Sequence, residues 1–287
     1  MSSQNRSDPL ARAAGHRPHL SPREFRALLP VVLAAIEKSD AIILGRMHRV
    51  AAQRKPDGSD VTAADRGAER LLRREIQAAW PRDGLFGEEH GGCLQRIGRC
   101  WLVDPIDGTA SYVLGLPMFG TLVSLLIDGE PVFGCIRLSG LRETTYAAIG
   151  HGCWLLRDGG RAQRTRVARP RSLSQATIGL TLFKERHLAR RAGAERVIAL
   201  TREVGRLRLV GDCVQYPLLC RGVLDAAVDP QMKPWDIGAL VPCVLEAGGS
   251  VSDFQGEQSG LIERSSFVAA SSPALRQAIC RVVSGGA

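Results

Sequence analysis

The sequence predicts an α+β protein built from stacked layers of helices and sheets. Two amphipathic helical patterns come first, within residues 21–79, and strand patterns with a hairpin signal at Asp128-Gly129 follow from residue 100 to about 158. Beyond residue 176 strand and helix patterns alternate. Because each helix or sheet must bury its apolar face against another element, this order indicates a layered fold.

The N-terminal part predicts two capped helices. Residues 21–24 read SPRE, a capping box with proline at the first helical position, and apolar residues follow at helical spacing. Pro30 lies inside this pattern and predicts a kink or a break. A second helix is predicted to begin at residues 62–65, which read TAAD, and to end near Trp80.

The remaining elements follow from alternating or helical apolar spacing. Strands are predicted at 100–103, 120–127, 132–138, 144–149, 153–156, 176–182, 207–210, 224–228 and 267–270. Helices are predicted at 185–204, 213–219, 235–247 and 273–283, and Pro242 within the third has no explanation from sequence.

The domain organisation is predicted from length and composition. The polar residues 1–20 are expected to form a disordered N-terminal extension, and residues 21–287 a single catalytic domain. Within that domain we expect an N-terminal α+β lobe over 21–160 and a C-terminal α/β lobe over 161–287. No apolar run is long enough to span a bilayer or to serve as a signal peptide, so a cytoplasmic location without membrane contact is expected.

The spacing of cysteine and histidine and the distribution of charge exclude several kinds of site and partner. The 8 cysteines are scattered without a CxxC pair, and the 6 histidines show no HxxxH spacing, so neither a disulfide framework nor a zinc site is expected. The net charge of +9 is compatible with nucleic acid, an anionic small substrate or simple solubility. Nucleic acid is not expected as a partner, because the arginines are dispersed and only 5% of residues are aromatic.

The segment 101–109, WLVDPIDGT, carries the strongest chemical signal. Asp104 and Asp107 stand three residues apart where an apolar strand is predicted to end. Pro105 and Gly108 predict a tight turn that aims both carboxylates and a main-chain carbonyl at one point. Such oxygen ligands suit a hard divalent cation such as Mg²⁺.

Two further segments give this interpretation its weight. Asp-Pro and Asp-Gly are each more typical of a turn than of a ligand. Upstream, however, residues 86–89 read FGEE, and downstream residues 233–236 read KPWD at the start of an apolar helical pattern. The combination in this order favours a metal centre over three unrelated surface features.

These segments resemble the signature blocks of the inositol monophosphatase family. The matching blocks are 86–89, 101–109 and 235–249, and residues 60–65, DVTAAD, resemble a fourth. The resemblance implies a layered αβαβα sugar-phosphatase-like fold and a phosphatase of small phosphomonoesters that depends on two or three Mg²⁺ and is inhibited by Li⁺. It also implies a homodimer.

The resemblance implies a role for each matching residue. The metal ligands would be Glu88, Asp104, Asp107, Asp236 and the main-chain carbonyl of Ile106. The catalytic residues would be Glu88 and Thr109, which orient and deprotonate the attacking water, and Asp65, which serves a further, weaker Mg²⁺. The substrate-binding residues would be Asp107, Gly108, Thr109, Asp212, Asp229 and Asp236, with the N–H groups of Gly108 and Thr109 on the phosphate. Phosphate ester cleavage needs this kind of charge neutralisation and an in-line water.

The choice of substrate stays open among several molecules. Segments 115–126 and 211–234 are most similar to the histidinol-phosphate phosphatase branch, which serves L-histidine biosynthesis. Asp229 stands where the family usually has Glu, and with Asp212 it could bind the ammonium of histidinol phosphate, although both could instead pair with arginines. Ala110 replaces a residue that is frequently polar.

Two other phosphatase substrates and one non-enzymatic function are the alternatives. The phosphatase alternatives are inositol 1-phosphate and adenosine 3′,5′-bisphosphate. The non-enzymatic alternative is a regulator that binds RNA or the transcription machinery, motivated by the basic charge and the arginine-containing N-terminal tail.

Overall fold

The computed structural model describes residues 18–49, 51–56, 58–181 and 191–285. These residues form seven α-helices: α1 (Pro22–Arg46), α2 (Ala63–Ala79), α3 (Thr109–Val113), α4 (Arg191–Glu203), α5 (Gln215–Cys220), α6 (Pro234–Glu246) and α7 (Pro273–Ser284). No helix in these ranges is long and apolar enough to cross a membrane.

The strands form a short hairpin and two larger sheets. The hairpin pairs β1 (Gln53–Arg54) with β2 (Asp60–Val61). The eight-stranded sheet contains β3 (Gly84–Gly87), β4 (Gly91–Gly92), β5 (Arg99–Asp107), β6 (Gly120–Ile127), β7 (Glu130–Leu138), β8 (Glu143–Ala148), β9 (Gly152–Arg157) and β10 (Gln163–Arg164). The five-stranded sheet contains β11 (Thr177–Leu180), β12 (Arg206–Arg208), β13 (Ala226–Asp229), β14 (Ser250–Ser252) and β15 (Phe267–Ala270).

The two larger sheets differ in strand direction. The eight-stranded sheet has the order β10-β9-β8-β7-β6-β5-β3-β4 and is antiparallel except for the parallel pair β3 and β5. The five-stranded sheet has the order β12-β11-β13-β15-β14. In it β11 runs parallel to β12 and β13, whereas β15 is antiparallel to both of its neighbours.

The elements stack in five layers. Side chains alternate along a strand, so Trp101 and Val103 of β5 face α1 and α2 while Leu102 faces α6. Helices α5 and α6 fill the space between the two sheets, and α6 is apolar enough to be buried on nearly every side. Helices α4 and α7 cover the outer face of the five-stranded sheet. The predicted αβαβα arrangement is confirmed.

Several predicted elements agree with the structure, and others do not. Helix α2 begins after its capping residue Thr62 and ends at Ala79, as predicted. Of the kink or break predicted at Pro30, the break does not occur, because α1 continues through it to Arg46. Helix α6 likewise continues through Pro242. The part of the predicted helix 185–204 before residue 191 lies outside the described residues.

The start of the ordered fold also differs from the expectation. Leu20, which the sequence assigned to the disordered extension, is completely buried in the core beside α1 and the eight-stranded sheet. Its carbonyl oxygen lies 2.8 Å from Nε2 of His151. Burial of this apolar side chain and a polar contact to its backbone fix the chain before residue 21.

Candidate active site

Strand β5 ends in an irregularity that determines where its two carboxylates point. Between Asp104 and Asp107 the strand advances three residues, whereas its partner β6 advances only from Leu122 to Gly120. The extra residue is a bulge, and Thr121 Oγ1 donates a hydrogen bond of 2.8 Å to the Pro105 carbonyl there. The tight turn predicted from Pro105 and Gly108 therefore begins only at Gly108, since the ladder continues through Pro105 to Asp107.

Three carboxylates converge at this strand end. Oxygen atoms of Asp104, Asp107 and Asp236 all lie within 4.8 Å of one another. Asp236 comes from the first turn of α6, where its Oδ2 accepts a 2.8 Å hydrogen bond from the Lys233 amide. Asp107 Oδ2 accepts one of 2.5 Å from the Cys213 amide, and Asp104 Oδ1 one of 3.0 Å from the Ile106 amide. The fold thus brings Asp236 next to Asp104 and Asp107, which lie 132 and 129 positions before it in the chain.

Burial and mutual repulsion disfavour the charged forms of these groups. Burial first, and then the negative charges of Glu88, Asp107 and Asp236, raise the pKa of Asp104 well above its usual value. Burial, followed by the charges of Asp212 and Asp236, does the same for the pKa of Asp107. Burial raises the pKa of Asp236 to about 7. None of the three carboxylates forms an ion pair with a basic residue in the described ranges.

The chemistry of this donor set fits a hard divalent cation. Three anionic oxygens that repel one another and lack a protein cation gain stability when an ion such as Mg²⁺ lies between them. Asp104, Ile106, Asp107, Asp236 and Glu88 all line the same cleft, whose volume is about 570 Å³.

Glu88 reaches the cleft from the segment after β3 and is paired there with a lysine. Lys55 Nζ lies 2.8 Å from Glu88 Oε1 and 2.5 Å from Glu89 Oε1. Burial lowers the pKa of Lys55, but hydrogen bonds and charge from the two glutamates outweigh it and hold that pKa above its usual value. Burial raises the pKa of Glu89 to about 7. Lys55, one of only four lysines in the chain, lies in no sequence motif that predicts this contact.

Asp65 and Thr109 lie next to each other beside the bulge. Asp65 caps α2, since its Oδ2 accepts hydrogen bonds from the amide (2.8 Å) and the hydroxyl (2.6 Å) of Thr62. Thr109 Oγ1 lies 2.9 Å from the Ile106 carbonyl oxygen and 3.3 Å from Asp65 Oδ1. Asp65 is completely buried, and this burial raises its pKa. It therefore contacts the cleft through Thr109.

Gly108 and Asp212 approach each other closely at the rim of the cleft. Gly108 has φ of 86°, and a Cβ atom there would lie 2.9 Å from both Asp212 Oδ2 and the Met118 carbonyl oxygen. Glycine is thus required by both backbone conformation and space. Asp212 itself has φ of 50°, a left-handed conformation that Asp tolerates better than most residues. Burial raises the pKa of Asp212 to about 6.

Asp229 lies at the end of β13, in the five-stranded sheet, whereas β5 belongs to the eight-stranded one. Its Oδ2 accepts hydrogen bonds from Gln215 Nε2 (2.5 Å) and the Tyr216 hydroxyl (2.6 Å), two residues that sequence analysis missed. Burial raises the pKa of Asp229 to about 6, against these hydrogen bonds. Asp212 and Asp229 both line the cleft, and neither pairs with an arginine among the residues that the structure describes.

Comparison with known proteins decides the family. The model of the inositol monophosphatase family matches residues 27–285, which is most of the chain. The chain belongs to the inositol monophosphatase family. It is therefore a phosphoric monoester hydrolase, and the family predicted from the four sequence blocks is confirmed.

Relatives and solved structures of the inositol monophosphatase family agree with this assignment. The chain is 39% identical over 202 residues to a histidinol-phosphatase of Mycobacterium tuberculosis, covering 70% of this chain and 77% of that protein. It is 35% identical over 259 residues to a histidinol-phosphatase of Chlorobaculum parvum, covering 90% and 97%. Its fold matches an inositol monophosphatase from Zymomonas mobilis with a TM-score of 0.79 at 27% identity, covering 92% and 100%.

Proposed function

We propose that this member of the inositol monophosphatase family is a Mg²⁺-dependent histidinol-phosphate phosphatase of L-histidine biosynthesis. One observation carries the proposal: the three convergent carboxylates and two further carboxylates, the half-buried Asp212 and the buried Asp229, line one cleft. The first set suits a divalent cation, and the second suits a positively charged substrate. Relatives that are themselves named histidinol-phosphatases support the same substrate.

Mg²⁺ is proposed to be held by the carboxylates of Glu88, Asp104, Asp107 and Asp236 and by the Ile106 carbonyl. When bound, the metal supplies neutralisation of phosphoryl charge and activation of water. We expect two or three such ions per site, the weakest of them served by Asp65. Glu88 and Thr109 are proposed to orient the attacking water, whose proton passes to the Glu88 carboxylate or, through the Thr109 hydroxyl, to Asp65 Oδ1 at 3.3 Å.

The phosphate is proposed to be held by the N–H groups of Gly108 and Thr109, which follow Asp107 at the start of α3. Gly108 lines the cleft, and its φ of 86° is a conformation that glycine adopts without strain. Asp65 fixes the Thr109 hydroxyl from behind, at 3.3 Å. This contact restricts the rotation of a hydroxyl on a residue that lines the cleft.

The remainder of the substrate is proposed to contact Asp212 and Asp229. Tyr216 and Gln215 both donate to Oδ2 of Asp229, which fixes the orientation of a carboxylate that lines the cleft. A substrate ammonium that contacts a buried carboxylate forms a charge-assisted hydrogen bond. Inositol phosphate is the second candidate, because a buried acceptor such as Asp229 also suits a sugar-like hydroxyl.

The test is a panel of phosphomonoesters assayed with and without Mg²⁺ and with added Li⁺. Histidinol phosphate, inositol 1-phosphate and adenosine 3′,5′-bisphosphate are compared at equal concentration. We expect Mg²⁺-dependent, Li⁺-inhibited phosphate release that is fastest with histidinol phosphate. Faster turnover of inositol 1-phosphate would reject the substrate, and turnover in chelator would reject the metal.

Two matched variants test the carboxylates that are proposed to select the substrate. For Asp229→Asn and Asp212→Asn, KM for histidinol phosphate should rise about 10-fold or more, since a hydrogen bond to a charged group contributes about 1.5–3 kcal/mol. KM for phenyl phosphate, which carries no ammonium group, should stay unchanged. An equal rise for both substrates would indicate that these residues shape the site without recognising a cation. We also expect a homodimer. Light scattering of the protein as it elutes from a size-exclusion column would test this by giving its molar mass.

A further inference from the structure

A buried carboxylate on α2 binds the backbone that follows Glu88. The Glu69 side chain is completely buried, yet the residue does not line the cleft. Its Oε2 accepts a 2.7 Å hydrogen bond from the Glu89 amide, and its Oε1 one of 3.1 Å from the His90 amide. One carboxylate thus fixes two consecutive peptide groups immediately after Glu88.

Arg73, one helical turn later, completes this arrangement. Its Nε donates a 2.7 Å hydrogen bond to Glu69 Oε1, and its terminal nitrogen donates to the Gly91 carbonyl. The guanidinium therefore compensates the buried charge of Glu69 and holds the far end of the same loop. Since a buried charge without a partner is strongly destabilising, the pair acts as a unit.

The other side of the loop is fixed by the strand that carries Asp104. The Glu88 amide donates a 3.2 Å hydrogen bond to the Val103 carbonyl, one residue before Asp104. At Gly87 a Cβ atom would collide with Glu69 Oε1, so the loop backbone lies directly against the carboxylate. Glu88 consequently stands on a segment held between β5 and the Glu69–Arg73 pair, with little freedom to move.

We propose that Glu69 and Arg73 are positioning residues that set the place of Glu88 relative to Asp104. This inference rests on the proposed function, in which Glu88 and Asp104 hold Mg²⁺ together. A residue that supports a ligand in this way changes metal affinity by about 10–100-fold when it is removed. It leaves the reaction intact once the metal site is full.

The test compares Glu69→Gln with Glu75→Gln on the same helix. The glutamine amide in the first variant would present an amino group where the carboxylate now accepts from a backbone N–H, so the loop must shift. Glu75 is a matched control, because its ion pairs are with Lys38 and Arg74 on the surface. The measurements are Mg²⁺ binding by isothermal titration calorimetry and the Mg²⁺ concentration for half-maximal phosphate release.

We expect Glu69→Gln to raise both the Mg²⁺ dissociation constant and the half-maximal concentration by about 10–100-fold. At saturating Mg²⁺ kcat should approach that of the unaltered protein, and Glu75→Gln should change neither value. A lower melting temperature with unchanged Mg²⁺ affinity would overturn the inference and leave Glu69 a structural residue.

Arg73→Lys keeps the test decisive if Glu69→Gln does not fold. Lysine preserves the positive charge beside Glu69 but cannot hold Glu69 and the Gly91 carbonyl at once, so a smaller loss of Mg²⁺ affinity is expected. Unchanged affinity in this variant would also overturn the inference. If the unaltered protein binds no Mg²⁺, the proposed function fails; if it binds Mg²⁺ and both variants bind equally well, only the positioning role fails.

Discussion

Two buried carboxylates in this molecule, Asp40 and Asp104, differ in whether a basic side chain of the protein balances their charge. On one side of the eight-stranded sheet, Asp40 of α1 accepts hydrogen bonds from Arg137 Nε (2.8 Å) and Ser139 Oγ (2.6 Å). Arg137 continues to Asp158, at 2.6 Å from its Oδ1. At the end of β5, the described residues provide Asp104 with no cation at all.

The difference distinguishes a carboxylate whose partners all lie within the protein from a carboxylate that can bind a cation from solution. Burial raises the pKa of Asp40, and the serine and arginine act against it, so the group is satisfied within the protein. At Asp104, burial and three neighbouring carboxylates act in the same direction. A fold keeps such repulsion only where something from outside relieves it, which is a physical reason to look there for a metal.

The largest expected effect is at Asp104. Asp104→Asn should reduce Mg²⁺-dependent phosphate release at least about 1,000-fold, the upper range for removing one charge-stabilising group from an active site. In metal-free protein at about pH 8 the same variant should raise the melting temperature, because it removes a carboxylate whose burial among three others disfavours its charged form. Stopped phosphate-release assays and scanning calorimetry measure the two effects. Undiminished release in the variant would contradict the assignment of the centre.

Arg137→Met should have the next largest effect, on stability rather than activity. It leaves Asp40 buried without its cation, which costs about 3–5 kcal/mol of unfolding free energy. Urea unfolding gives the value, and kcat per folded molecule should be unchanged. As a control, the double variant Asp40→Asn/Arg137→Met should be less destabilised than Arg137→Met alone. Equal losses would mean that the charge pair is not the cause.

The stabilisation by Mg²⁺ should depend on pH. The pKa of Asp236 is about 7 when folded, against an ordinary value of 3.8, so the metal-free folded protein binds more protons than the unfolded chain in that range. The stability that protonated Asp236 contributes to the metal-free protein is therefore fully present below pH 3.8. It is lost as pH rises through about 7, the pKa of Asp236 in the folded protein. Mg²⁺ should raise the melting temperature more at about pH 8 than at about pH 5.5, since it competes with those protons. An equal gain at both values would contradict this interpretation.

The smallest effect is expected at the exposed end of the structural network. Asp158 is about one-third exposed, and hydrogen bonds from Arg137 lower its pKa to about 2. Asp158→Asn should cost no more than about 1 kcal/mol of unfolding free energy, because solvent screens the pair. The contribution is present above the ordinary pKa of 3.8 and is lost as pH falls through about 2. A loss near that of Arg137→Met would show that Asp158, rather than Asp40, is the main partner.

Local signals predicted the elements that are determined locally. The capping box at 62–65 gave the start of α2, because its hydrogen bonds join residues three apart. The break predicted at Pro30 does not occur, for the opposite reason. Its local penalty is outweighed by burial of Leu28 and Val32 on the other side of α1, and Pro30 itself is exposed, where water can bond the freed carbonyl.

Residue type and order along the chain predict part of the candidate site. The segments of Glu88, Asp104 and Asp236 are identifiable from residue type and order alone. Glu69 and Arg73 are not, because charged residues four apart on an amphipathic helix are typical of a solvated face. Only the docking of the loop after β3 onto α2 makes them buried, and that contact is tertiary.

The bulge in β5 has a consequence for how this gene can vary. Asp107 lies three positions after Asp104, an odd step that in an unbroken strand would turn the two carboxylates to opposite faces of the sheet. The extra residue restores a shared direction, so the distance counted in codons matters as much as the identity of the amino acids. Gain of a single codon in this stretch would turn the two carboxylates to opposite faces while preserving both aspartates, and a change of that kind is invisible to any comparison that tracks only which residues are present.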